Sequence, residues 1–148
     1  MNGRRVLVDV NVPMYAAGQP HSYRDSCVWI MTEIAEGRLA GAIDAEIVQE
    51  VLYRYGSLRQ WSVAVAMATS LFDLFPTVLP VLPADAKRAI TLFEEYGPRG
   101  VAARDVIHVA VMESNDLTEI ISTDQHFDQI AGITRWDPMA LFSRTIAT

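Results

Sequence analysis

The sequence predicts an α/β protein, a three-layer α/β/α sandwich on a mostly parallel sheet of four to five strands, and three observations carry that prediction. Residues 6–10 and the stretch "EIIS" at 119–122 are short and largely apolar rather than alternating, as expected of strands buried on both faces. Segments with apolar residues at helical spacing separate such runs along the chain. The 148 residues are 51% apolar and 20% charged, a composition able to bury a full core.

Taken in order, residues 6–10 form the first strand. Ser22 then caps a helix to Glu36 whose stripe is Val28, Met31, Ile34 and Ala35, with Gly37 as its stop. Residues 39–43 give a second short strand. Asp44 caps a helix to about Tyr55 with Val48, Val51, Leu52 and Tyr55 on one face. Residues 58–75 read as a long helix ending before Pro76, and "TVLPVL" follows as a strand whose proline suits a sheet edge. Pro83 opens a helix through Leu92 to Tyr96, and "GPRG" at 97–100 is a loop. Residues 104–114 form a helix apolar on nearly every side, so it should be buried. "EIIS" and "TRW" are strands, and Pro138 starts a closing helix. No repeat, low-complexity tract or linker interrupts the pattern, so residues 1–148 are read as one domain.

No apolar run reaches the ~18 residues of a membrane span, and the N-terminus lacks the apolar stretch of a signal peptide, so a cytoplasmic protein with no membrane partner is expected. The single cysteine, Cys27, has no partner for a disulfide and sits among apolar residues as a buried thiol. A formal charge of −6 argues against broad coating of nucleic acid, which needs phosphate neutralisation, but leaves nucleic acid open as a substrate. All the basic residues but Lys87 are arginine, the side chain suited to bidentate phosphate contacts.

The acids hold the chemistry. Parallel strands all end at one edge of a sheet, and ligands bind in the crevice outside those ends. Asp9 ends the first strand and Asp124 follows directly after residues 120–122. If the two strands are neighbours, their backbones lie ~4.8 Å apart and the carboxylates converge. Asp105, opening the buried helix, is a plausible third member. Each has a bland alternative, since Asp105 favours a helix start while Asp124 and Asn11 favour turns. As a group they are harder to dismiss, because like charges ~5 Å apart repel by ~3 kcal/mol per pair at an effective dielectric of about 20. Such a cluster implies a hard cation, and all-oxygen ligands select magnesium, manganese or calcium. On spacing alone Glu50 falls on the flank of its helix beside Ile47 and Arg54, where a solvated glutamate would also sit.

Four blocks in order, "VLVDVNV", "EIVQEVL", "ARDVIHVAVM" and "IISTDQHFDQIAGI", resemble the PIN-domain ribonucleases, in particular the VapC-type toxins of toxin–antitoxin modules. The resemblance runs from Val6 to about Pro138. It implies that Asp9, Glu50, Asp105 and Asp124 hold one or two Mg²⁺ or Mn²⁺ ions and catalyse hydrolysis of RNA, with Asn11 and Ser122 orienting the carboxylates and Asp128 assisting through water or a second ion. It also implies a small antitoxin partner and a homodimer.

Other residues carry competing readings. His108 shares a helical face with Asp105 and reads either as a hydrogen-bonded core histidine or as a ligand; His21 and His126 have no metal spacing, so zinc is poorly supported. Arg99 and Arg104 are candidates for RNA phosphate contact. Trp29, Trp61 and Trp136 read as packing residues rather than base-stacking platforms. Haloacid-dehalogenase-like phosphatases want a second Asp where this chain has Asn11, and receiver domains want an early acid pair and a late lysine, so both fit poorly. A PIN-like RNA-processing nuclease outside a toxin module, or a silent partner-binding domain, remains the alternative.

Overall fold

The structure, a computed structural model, describes residues 3–146. Five strands, β1 (Val6–Val8), β2 (Gly41–Asp44), β3 (Thr77–Leu79), β4 (Glu119–Ile121) and β5 (Thr134–Trp136), form one parallel sheet in the order β3-β2-β1-β4-β5. Leu7 is in register with Ala42 on one side and Ile120 on the other. The chain thus builds outward from β1 in one direction, then crosses back to start on its other side. Between β1 and β4 the order reverses, and such a switch point opens a crevice at the carboxyl ends of the strands.

Alternate strand residues feed two cores. Leu7, Ala42 and Ile120 face the helices α5 (Pro83–Tyr96) and α6 (Ala103–Ser114). Val6, Val8, Ile43 and Ile121 face the opposite layer of α1 (Asn11–Ala17), α2 (Arg24–Ala35), α3 (Glu46–Ser57), α4 (Trp61–Leu74) and α7 (Pro138–Ile146). Gly41 lets β2 approach α2 closely, since a Cβ there would stand 2.9 Å from Ile34 Cδ1. Gly37 adopts φ +74° directly behind α2, the left-handed turn that ends a helix. The sandwich and its strand count match the sequence expectation, with the short β3 at one edge and β5 at the other.

Several boundaries differ. The first strand stops at Val8, and Asn11 opens the seven-residue α1 rather than a turn. So short a helix carries no stripe, and Pro13 falls in its first turn, where a missing N–H is harmless. Ser22 does not cap α2. The helix starts at Arg24, and the Tyr23 N–H donates instead to His21 Nδ1 (3.1 Å). The buried face of α3 is Ile47, Glu50 and Val51, rotated from the expected stripe, so Leu52 is exposed. The long helix begins at Trp61 because Arg59 takes φ +56° and turns the chain. Trp61 is exposed rather than packed, whereas Trp29 packs on Phe142. Cys27 is fully buried, and burial pushes its thiol up to about 12.

Phe127 is fully enclosed in the core beneath α5 and α6. Replacing it with alanine is expected to lower stability by about 3–5 kcal/mol, read from urea unfolding, because a rigid core leaves a cavity rather than collapsing.

Candidate metal centre

Four acids from four elements meet at the crevice. Asp9 follows β1, Glu50 comes from α3, Asp105 opens α6, and Asp124 lies in the turn after β4. All four line one cleft of about 400 Å³, with Tyr15, Tyr53, Arg54 and Arg104 around them. Asp9, Glu50 and Asp105 are buried, while Asp124 is partly exposed.

Asp9 is the most fully supported. Its Oδ1 accepts the Val10 N–H (2.8 Å), and its Oδ2 accepts both Asn11 Nδ2 (3.0 Å) and Ser122 Oγ (2.6 Å). Ser122 Oγ in turn accepts the Asp124 N–H (3.0 Å), and Asn11 Oδ1 accepts the Thr123 N–H (3.3 Å). These bonds stitch the turn after β1 to the turn after β4. Burial still raises the Asp9 pKa above the ordinary carboxylate value, partly offset by the charge on His108 and the Ser122 bond. Asp124 Oδ1 accepts the His126 N–H (2.9 Å) and pairs with His126 Nδ1 at 2.8 Å.

Glu50 is set differently. Its Oε1 lies 2.8 Å from His108 Nε2, and His108 Nδ1 lies 2.6 Å from Asp44 Oδ2. Each ring nitrogen thus faces a carboxylate oxygen, an arrangement that favours the imidazolium form. Burial is the largest single influence and opposes that charge, yet the bonds and charges of Asp44 and Glu50 together hold its pKa well above the usual value. One atom each of Asp9, Glu50 and His108 falls within 4.8 Å of the others. With both its nitrogens engaged, His108 is less free to serve an ion than the carboxylates around it. Glu50 Oε2 is buried without a hydrogen-bond partner, and the Asp105 carboxylate accepts none among the described residues. Burial first, then the negative charge of Asp9, Asp124 and Glu50, pushes Asp105 up to about 7 despite the opposing charge on His108. Acceptor-only oxygens, one of them orphaned and buried, fit a divalent cation.

Other residues singled out in the sequence lie elsewhere. Asp128 is not a wall of the cleft. Its carboxylate is held by Arg135 at 2.9 and 3.1 Å, an ion pair that occupies both oxygens. Arg99 is exposed and stacks over Tyr96 at 5.4 Å, away from the cleft, whereas Arg104 stands at its mouth with Nε 3.7 Å from Glu50 Oε1. Sequence reasoning treated Asp44 only as a helix cap. It does accept the Ile47 N–H (3.3 Å), but as the last residue of β2 it also ends on the same rim as Asp9. Arg54 and Tyr53, one turn beyond Glu50, were equally legible as neighbours of the site.

The family model described as PIN domain matches residues 6–133. Among relatives, a VapC ribonuclease of Mycobacterium bovis is 30% identical over 130 residues, covering 88% of this chain and 98% of its own length. Among solved structures, Mycobacterium tuberculosis VapC20, a sarcin-ricin loop cleaving toxin, aligns with a TM-score of 0.73 at 14% identity over 87% of this chain and 96% of that one. A toxin–antitoxin complex from Klebsiella pneumoniae aligns with a TM-score of 0.61 at 21% identity, over 90% and 97%. These likenesses to solved structures show a shared fold.

Crowding of the acids has a pH signature. The folded value for Asp105, about 7, exceeds the ordinary 3.8, so between the two the folded protein holds a proton that the unfolded chain has lost. That stabilisation is complete below the lower value and is lost as pH rises through the higher. In excess chelator, Asp105→Asn is expected to melt above the parent protein at pH 8, with the gap closing on acidification. Melting curves that run parallel across this range would contradict the electrostatic account.

Proposed function

The chain belongs to the PIN domain family, and on that premise we propose that it is a Mg²⁺- or Mn²⁺-dependent endoribonuclease, the toxin of a toxin–antitoxin pair. The observation that carries the reading is the meeting of Asp9, Glu50, Asp105 and Asp124 in one cleft, with a buried carboxylate oxygen left unpartnered. The VapC ribonuclease relative, which this chain matches over nearly its whole length, supports the activity. Residues 1–148 are taken as a single PIN-like domain acting in the cytoplasm. Among the described residues no helix is long and apolar enough to cross a membrane.

In this reading the four carboxylates hold the cation. When bound, it would lower the pKa of a water and neutralise charge on the scissile phosphate. The chain's own residues do the rest. Asn11 and Ser122 keep the Asp9 carboxylate in one orientation, so it needs no rearrangement when it binds. Arg54 and Arg104 bring positive charge to the mouth of a negative pocket, where an approaching phosphate backbone would otherwise be repelled. Tyr53, exposed at the rim of the cleft, offers a ring face on which an unpaired base can stack.

The toxin assignment includes a small antitoxin that covers the acidic cleft, with an arginine or lysine facing the carboxylates, and a homodimer. The likeness to a toxin–antitoxin complex supports it. An apolar groove of about 650 Å³ between α1, α2 and α4, bounded by Val28, Met31, Val63 and Met67, also supports a protein partner.

Cleavage of RNA is expected only with Mg²⁺ or Mn²⁺, and Asp9→Asn or Asp124→Asn should abolish it while circular dichroism shows the fold retained. Activity that persists in excess chelator, or in either variant, would defeat the proposal. Without RNA, Mn²⁺ at about 100 times its Kd adds about 2.7 kcal/mol to the folded state. For a chain of this size that is roughly 5–10 °C in Tm. A domain that only binds a partner would show the antitoxin complex without the cleavage.

A further inference from the structure

Resting on the reading of Glu50 as a metal ligand, we infer that Asp44 and His108 form a buried strut that orients Glu50 and sets the affinity of the centre for its cation. His108 is then a positioning residue and not a ligand. The strut joins three elements: Asp44 ends β2, His108 lies in α6, and Glu50 lies in α3. Asp44, His108 and Glu50 are 0%, 1% and 5% exposed, so water does not compete for these bonds. The contacts of 2.6 and 2.8 Å fix the imidazole at both nitrogens, and a ring held at both ends cannot turn toward a cation.

Asp44 reaches Glu50 by two routes. Its Oδ2 pairs with His108, which pairs with Glu50 Oε1. Its Oδ1 accepts the Ile47 N–H in the first turn of α3, one turn before Glu50. The same carboxylate therefore anchors both the start of the helix that carries Glu50 and the ring that holds the side chain, a closed loop with little freedom left in it. Oε2 is what remains. It is buried, unpartnered and on a residue that lines the cleft.

The strut also settles a competition. Arg104 Nε stands 3.7 Å from the same Oε1 that His108 holds, and Arg104 is 55% exposed at the mouth. Without His108 the carboxylate gains more by closing on Arg104, which draws it outward from Asp9 and Asp105. A solvated arginine pair contributes little, so the strut wins while it is intact. Groups that orient a ligand in this way typically govern metal affinity by about 10–100-fold.

Two substitutions divide the role. A glutamine at 108 extends its amide to the place of Nε2 and keeps a donor on Glu50 while losing Asp44. An asparagine reaches only the place of Nδ1, keeping Asp44 and losing Glu50. Each loses one buried hydrogen bond, so a purely structural role lowers the metal-free Tm alike and leaves metal binding alone. A positioning role separates them. His108→Asn should raise the Mn²⁺ concentration at half-maximal thermal shift by about 10-fold or more, with His108→Gln staying within about 3-fold. The same split should appear in the Mn²⁺ dependence of cleavage, with kcat at saturating Mn²⁺ largely retained. Equal shifts in the two variants, or a folded His108→Asn with the parent midpoint, overturn the inference. If His108→Asn does not fold, Asp44→Asn leaves a single acceptor oxygen for the two bonds that Asp44 makes, which loosens the strut at its far end without opening a cavity, and an unchanged Mn²⁺ midpoint there overturns it equally. A parent protein with no response to Mn²⁺ defeats the ligand reading and this inference together; a normal parent response with insensitive variants defeats this inference alone.

Discussion

Carboxylates that share one small cleft repel one another, and at ~5 Å each pair costs ~3 kcal/mol at an effective dielectric of about 20. The fold creates this conflict through its topology. With β1 in the centre and β4 added on the side away from β2, the turns after β1 and β4 lie side by side at the point where strand order reverses. Asp9 and Asp124 are delivered there by strand length alone. Asp105 arrives because α6 begins at the same rim, and Glu50 because α3 packs on α6. No member can be moved away without moving an element of the core. The conflict must be met in place, by donors supplied from the chain and by positive charge.

Much of this was legible in the sequence because it depends on short-range rules. Parallel strands announce themselves as brief apolar runs, and an acid directly after such a run sits on the carboxyl edge whatever the rest of the chain does. Asp9 and Asp124 are of this kind. Asp105 was legible as the start of a helix too apolar to be anywhere but inside. Spacing alone left Glu50 on a solvated flank, and only the resemblance drew it into the site: a glutamate on the buried side makes physical sense once His108 is known to stand opposite, 58 positions along the chain. Asp44 shows the same limit. Its capping bond is local and readable, whereas its second oxygen binds a residue on another element. Asp128 shows the limit from the other side. It lies one turn from Asp124, yet the partner that claims it, Arg135, comes from the neighbouring strand. Helix α1 was missed for want of length rather than of contacts.

The compensation is uneven, and the unevenness has a direction. Asp9 is met by three neutral donors, which stabilise its charge without cancelling it. Glu50 is met by a full positive charge on one oxygen and by nothing on the other. Asp124 has His126 and the nearest access to water. Asp105 accepts no hydrogen bond among the described residues, and burial first, then the acids around it, push it up to about 7. If the cluster served only to hold the fold, the least supported acid would be the one to protonate, and an asparagine would serve better there. The supports instead hold three carboxylates in fixed orientations around a fourth that is kept short of positive charge. That deficit is local, and a proton on Asp105 or a cation small enough to enter the cleft relieves it.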